Sequence, residues 1–165
     1  MNLMQLRMIS EIGPLYLVAS DVGLRKLTFF ENSEPFMTES DQNTPCAKIL
    51  TNTVQQLMEY FAGKRQNFDV PLEVFGTEFQ KTVWEKLTSI PYGKTYSYKN
   101  IAQFIQNDQA VRAVGNANGK NPICIVVPCH RVIASDGTIG GYTGGLPIKY
   151  KLLQLEKTAG FFAER

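Results

Sequence analysis

Ile123-Cys124-Ile125-Val126-Val127-Pro128-Cys129-His130-Arg131-Val132-Ile133 decides how this chain is read. The apolar run before Pro128 predicts a short strand that carries the chain to the edge of a core. Proline donates no hydrogen bond and fixes its own φ, so it stops the strand and sets Cys129 in a turn of restricted shape. The residues that follow are the sole histidine of the chain and an arginine. A free thiol titrates at about 8.5 and is mostly un-ionised at neutral pH. A nucleophilic cysteine therefore needs a base or a positive neighbour. Adjacent side chains diverge, so His130 is expected to reach Cys129 through a bridging water, with a carboxylate orienting the imidazole. Glu156 on the last predicted helix is the candidate, and only a fold can bring it there. Against this stands the ordinary reading: a cysteine beside an apolar run is merely buried, and a lone histidine lies on the surface or caps an element.

Beyond the turn, Asp136-Gly137 predicts a hairpin-like reversal. Gly140-Gly141-Tyr142-Thr143-Gly144-Gly145 predicts a loop whose glycines let backbone come close to a ligand. It lacks the lysine and spacing of a phosphate-binding loop. Pro147 opens a last helix with Ile148, Leu152 and Leu155 inward. Upstream, Thr77 caps a helix carrying Phe79, Val83, Trp84 and Leu87. Ser97 caps another from Tyr98 to about residue 106. Asn107-Asp108-Gln109 then turns the chain into a helix over 110–118, with Val111 and Val114 inward and Arg112, Asn116 and Asn118 on polar positions. Two short helices across a short turn make the helix-turn-helix pattern, which many helical hairpins share.

The first half reads differently. Residues 4–9, 14–19 and 24–30 predict an antiparallel meander with turns at Gly13-Pro14 and Asp21-Val22-Gly23. Residues 31–43 form a loop. Thr44-Pro45 opens an amphipathic helix with Cys46, Ile49, Leu50, Val54, Leu57, Met58 and Phe61 on its apolar face, closed by Gly63. Cys46 reads as a buried structural thiol. The fold class is thus α+β: a small antiparallel sheet with a helix over residues 1–75, then a mostly helical, winged helix-turn-helix-like domain over residues 76–165.

The net charge of +2 conceals −3 in residues 1–75 and +5 in residues 76–165, a bias suited to a nucleic-acid-facing second half. No signal peptide or membrane-length apolar run is present. Three cysteines in no paired spacing fit a reducing compartment. A soluble, cytoplasmic protein without a membrane association is expected. One histidine and no C-x-x-C make no zinc ligand set. From the residues alone, a cysteine enzyme acting on DNA and a non-enzymatic winged-helix DNA-binding or lesion-sensing protein both stand, with a cysteine hydrolase behind them.

Pro128-Cys129-His130-Arg131, with Ile125-Val126-Val127 before it and Val132-Ile133 after it, resembles the active-site signature of the O6-alkylguanine-DNA alkyltransferases. The likeness extends, in order and approximate spacing, through Ile90-Pro91-Tyr92-Gly93, Tyr96-Ser97-Tyr98, Arg112-Ala113-Val114-Gly115, Asn121-Pro122, Gly140-Gly141-Tyr142-Thr143-Gly144-Gly145 and residues 152–156. It covers residues 76–165, whereas the first half fits by layout only. The resemblance implies that Cys129 accepts the alkyl group from guanine O6 in one in-line displacement. His130 would be its base through a water, Glu156 would orient His130, and Asn121 would hold the turn. Tyr98 would give a proton or hydrogen bond to guanine N3, and Arg112 would fill the duplex where the nucleotide leaves. The backbone at Cys129 and Val132 would read the base edge, with Tyr142 and Thr143 lining the pocket. Small residues of the recognition helix, Ala110, Ala113, Gly115 and Ala117, would allow close approach in the minor groove, and Ser97 lies on the same DNA-facing surface. The expected partner is double-stranded DNA containing O6-alkylguanine, the expected state a monomer, and no cofactor or metal is implied. Thr143 stands where some members have serine, and the zinc ligands and metal-binding extension of some members have no counterpart.

Overall fold

Alternating burial over the first 28 residues builds the expected meander in the computed structural model, which describes residues 2–158 and 160. Strands β1 (Met4–Ser10), β2 (Gly13–Ala19) and β3 (Leu24–Thr28) pair antiparallel in the order β1-β2-β3. Strand β3 stops two residues early, because the Thr28 hydroxyl donates to the Phe30 carbonyl at 2.7 Å and turns the chain out. Helix α1 (Pro45–Phe61) packs on β1 and β2, and its cap is the expected one, Thr44 Oγ1 accepting from the Ala47 amide. Its inward face is rotated from the expected one. Cys46, Leu50, Thr53, Leu57 and Tyr60 are buried, while Met58 is 56% exposed. Thr53 takes a core position because its hydroxyl is provided for: it donates to the Ile49 carbonyl at 2.7 Å, so its methyl can pack inward. Cys46 is a structural thiol, its Sγ donating to the Ala19 carbonyl at 3.0 Å.

The chain divides into two compact units, Met1–Val74 and Phe75–Arg165. The expected domain limits at residues 1 and 165 lie outside the described residues. The second unit holds α2 (Glu78–Leu87), β4 (Tyr96–Ser97), α3 (Tyr98–Phe104), α4 (Val111–Gly119), β5 (Val132–Ile133) and α5 (Leu146–Leu155). Capping boxes start α2 (Thr77 with Gln80) and α3 (Ser97 with Asn100). Helices α3 and α4 are joined across a single 3-10 turn, Asp108–Ala110, and α2 packs on both. The Trp84 indole donates to the Ala117 carbonyl at 2.8 Å, so Ala117 faces the core and not outward with Ala113. Val111 is 36% exposed, as the first residue of α4. Strands β4 and β5 pair in parallel, Tyr96 beside Val132 and Ser97 beside Ile133. Among the described residues no helix is long and apolar enough to cross a membrane.

Candidate functional site

The predicted strand before Pro128 is a turn instead, and Asn121 is the reason. Its amide nitrogen donates to the Val127 carbonyl at 2.8 Å and to the Ile123 carbonyl at 3.4 Å, and its oxygen accepts from the Ile123 amide at 3.0 Å. The Val127 amide closes on the Ile123 carbonyl at 3.0 Å. A side chain has taken up the backbone groups that a sheet partner would have used. Ile125 sits at φ +72°, a strained position for a β-branched residue.

Cys129, His130 and Arg131 then form one 3-10 turn. Successive residues there project about 120° apart, so the thiol and the imidazole leave on different faces. His130 Nε2 lies 2.8 Å from Glu156 Oε2. Arg131 grips the same carboxylate, Nε to Oε1 at 2.8 Å and Nη2 to Oε2 at 3.0 Å, and gives Nη1 to the Ile90 carbonyl at 2.7 Å. All three side chains are buried. Burial alone would raise the Glu156 carboxyl, but the hydrogen bond from His130 and the hydrogen bonds and charge of Arg131 outweigh it and hold it far below the usual carboxylate range. Burial keeps the His130 imidazole below its ordinary pKa despite Glu156, so it is neutral at pH 7. Glu156 accepts at Nε2, which places the hydrogen there. Nδ1 is left as a lone pair, buried with no hydrogen-bond partner.

The Cys129 thiol is 2% exposed and its pKa is lowered. A hydrogen bond from Cys124 is the largest cause; Asn121 and the charge of Lys149 add to it, against the cost of burial. Lys149 is fully buried, its Nζ donating to the Val132 carbonyl at 2.7 Å and the Gly141 carbonyl at 2.9 Å. One ammonium thus ties β5 to the glycine-rich loop. Burial brings it down to about 8, with the Cys129 charge acting the other way.

A cavity of about 280 Å³ lies beside this turn, lined by Tyr98, Gly115, Asn118, Gly119, Tyr142 and Thr143 with the Gly141 backbone. Asn118 links it to the nucleophile, its amide nitrogen donating to the Cys129 carbonyl at 3.4 Å. Burial raises the Tyr98 phenol, so it keeps its proton and can donate. A Cβ at Gly140 (φ +73°) would lie 3.0 Å from the Tyr98 hydroxyl, so the glycine is what lets loop and phenol meet. Thr143 Oγ1 donates to the Gly119 carbonyl at 2.8 Å and holds the loop to the end of α4.

Of the residues singled out from the sequence, Cys129, Asn121 and Val132 meet at the turn, His130 and Glu156 stand behind it, and Tyr98, Gly115, Tyr142 and Thr143 line the cavity. Arg112 and Ala113 are exposed on α4, outside it. Ser97 is engaged as the cap of α3 and lines a separate groove with Lys99, Asn100 and Ser135. Arg131, Lys149 and Asn118 were not expected in these positions. A helical signal for two of them exists: 149/152/153/156 and 114/117/118/121 each follow i, i+3, i+4, i+7, which puts Lys149 and Asn118 on buried stripes.

Comparison with known proteins bears on both halves. Residues 7–74 match the 6-O-methylguanine DNA methyltransferase ribonuclease-like domain, and residues 78–158 match the 6-O-methylguanine DNA methyltransferase DNA binding domain. A methylated-DNA–protein-cysteine methyltransferase of Methanosarcina barkeri is 46% identical over 150 residues, covering 90% of this chain and 93% of the relative. One of Mycobacterium tuberculosis is 48% identical over 150 residues, covering 90% and 89%. A crystal structure of Mycobacterium tuberculosis OGT in complex with DNA superposes with a TM-score of 0.81 at 43% identity and covers 93% of each chain.

Proposed function

The chain belongs to the 6-O-methylguanine DNA methyltransferase family, and we propose that it repairs DNA by direct reversal, moving the alkyl group of O6-alkylguanine onto Cys129 in one irreversible step. The observation that carries this reading is a buried thiol favoured as thiolate, backed by the Glu156–His130 pair and adjoining a cavity with a phenol donor. A base stacked in a duplex cannot reach a thiol that is 2% exposed, so the nucleotide must be flipped out. Arg112, exposed on α4, is the side chain that would occupy the gap, while Ala113 and Gly115 let the helix come close.

The thiol proton passes by way of a water to the Nδ1 lone pair of His130. The thiolate pair forms an S–C bond to the alkyl carbon as the C–O6 bond breaks. The electrons released into the purine are met at N3 by the Tyr98 hydroxyl. The Cys129 and Val132 carbonyls read the base edge, and the Thr143 amide lies near O6. The proton held by His130 returns through water to the purine, and the products are guanine and a thioether. No group at the site can cleave a thioether, so each molecule acts once. Recognition and transfer belong to residues 76–165. The protein works as a monomer on double-stranded DNA in the cytoplasm, where three free cysteines would persist.

The test is mass spectrometry, intact and by peptide, after incubation with a duplex carrying one O6-methylguanine. A gain of one methyl on the Cys129 peptide, saturating at one per molecule, is expected. No gain with DNA binding intact would leave a lesion-binding module and overturn the reading.

A further inference from the structure

Arg131 and Lys149 are both buried in the second unit. Arg131 has Glu156 as its counter-ion. Among the described residues no carboxylate pairs with Lys149. A buried ammonium without a counter-ion is costly, and a methionine of similar length would fill the same space without that cost. What Lys149 holds is backbone. Its Nζ donates to the Val132 carbonyl at 2.7 Å and to the Gly141 carbonyl at 2.9 Å. Its own amide donates to the Gly145 carbonyl at 3.2 Å, and the Gly145 amide closes on the Tyr142 carbonyl at 3.0 Å. One residue thus fixes the glycine-rich loop near both ends, by its side chain at Gly141 and by its main chain at Gly145. These contacts belong to a closed circuit. Val132 pairs with Tyr96, on the strand that runs directly into Tyr98. Tyr98 meets the loop at Gly140, where a Cβ would lie 3.0 Å from the phenol oxygen. Gly141 follows, and Lys149 returns the circuit to Val132. A carbonyl oxygen has two lone pairs, so the one at Val132 can take the ammonium and still face a base.

We propose that Lys149 is a positioning residue of the alkyl transfer: its ammonium holds the Val132 carbonyl, the Gly141 edge of the lesion cavity and the Tyr98 phenol in one fixed arrangement, so that base and thiol meet in line. The proposal rests on the reading above, in which Cys129 takes the alkyl group. Lys149 touches neither the lesion nor the thiol in this role and acts through the backbone it holds.

Lys149→Met and Lys149→Gln are compared with the native protein, with melting temperatures as a check on folding. Methionine keeps the length and loses every donor. Glutamine loses the charge but keeps an N–H donor on a shorter arm. Two quantities are read: hydrogen exchange of the Gly145 amide by NMR, with the amides of α2 as control, and single-turnover methyl transfer to Cys129 at saturating lesion duplex. In Lys149→Met the Gly145 amide should exchange about tenfold faster while α2 is unchanged. Transfer should fall about a hundredfold, the cost of a misplacement of about 1 Å. Lys149→Gln should lie between the native protein and Lys149→Met in both. An unmoved Gly145 amide in Lys149→Met overturns the proposal, as does equal acceleration in α2, which would mark a general role in folding. The charge of Lys149 also lowers the Cys129 thiol, and glutamine separates that effect. A Lys149→Gln protein that keeps its loop protection yet transfers as slowly as Lys149→Met would show that charge alone matters, and would overturn the proposal. If Lys149→Met does not fold, Lys149→Gln decides, and native values for both readings overturn it. A native protein that takes no methyl removes the reading beneath the proposal, whereas methyl uptake with an unmoved amide removes this inference alone.

Discussion

Glu156→Gln tests the buried pair behind the nucleophile. The native carboxylate makes three contacts of 2.8–3.0 Å, one to His130 and two to Arg131. Glutamine is isosteric and keeps one carbonyl oxygen, so a single guanidinium hydrogen bond survives, but Arg131 is left charged and buried. Removing one partner of a buried pair costs about 3–5 kcal/mol, and the retained acceptor argues for about 3 kcal/mol. That raises the unfolded fraction about a hundredfold at pH 7. The assay is denaturant unfolding followed by Trp84 fluorescence, since this is the one tryptophan and lies buried in the second unit. The pH dependence has a definite sign. The folded pKa of Glu156 is depressed, so its stabilisation is complete above the unfolded value of about 4.3 and is lost as pH falls. The gap between native and variant should narrow by about 1.4 kcal/mol for each pH unit below about 4.3. Adding Arg131→Met to the variant removes the stranded charge and should recover part of the loss. A gap below about 1 kcal/mol at pH 7, or one unchanged at pH 3, would refute the assignment of Glu156 as an ionised, doubly paired group.

Cys129→Ser should gain no methyl from a lesion duplex yet bind it with unchanged affinity in a gel-shift titration; equal loss of both would mark a structural cysteine. Arg112→Ala should slow repair in duplex by about tenfold, the equivalent of about 1.4 kcal/mol of extrusion energy, and leave reaction with free O6-alkylguanine base unchanged; equal slowing of both would sink its role in the gap. Tyr98→Phe should lower single-turnover transfer about a hundredfold in both formats, and an unchanged rate would remove the phenol from the chemistry. Asn121→Ala removes three hydrogen bonds to the turn backbone worth about 1 kcal/mol each, so Trp84-monitored stability should fall by about 3 kcal/mol, and a fall under about 1 kcal/mol would mean that the turn stands without it.

The elements were legible wherever local chemistry decides them. Thr44, Thr77 and Ser97 sit at the caps their side chains predicted, because capping needs only residues within one turn. Two features were misread where a distant or non-local partner decides. The run 123–127 has the composition of a strand, and its apolar content says only that it is buried; that Asn121, outside the run, takes up its backbone groups is a tertiary fact. The α1 face was assigned from large apolar residues alone, which passes over Thr53 and Tyr60, whose burial depends on where their hydroxyls can go. In the site, the nucleophile turn and the glycine loop are contiguous stretches and could be read directly. Lys149 and Asn118 were hidden by their polarity, although their spacing places both on buried stripes.

His130 illustrates why a charged partner two steps away governs chemistry at the thiol. The hydrogen bond from His130 and the pairing with Arg131 keep Glu156 ionised at every physiological pH, so the carboxylate always accepts and Nε2 must supply the hydrogen. A neutral imidazole has one hydrogen, which fixes the lone pair at Nδ1 without any contact from Cys129. Burial lowers the imidazole's affinity for a second proton, so in the proposed transfer Nδ1 takes the thiol proton only because Cys124, Asn121 and Lys149 have already made the thiol acidic. A weak base with an acidified thiol gives the proton back readily, so the imidazolium formed beside Glu156 is short-lived while the charge on sulfur makes the bond. The proposed reaction has no step that acts on the thioether once formed, so single use follows from the same bond that the thiolate makes.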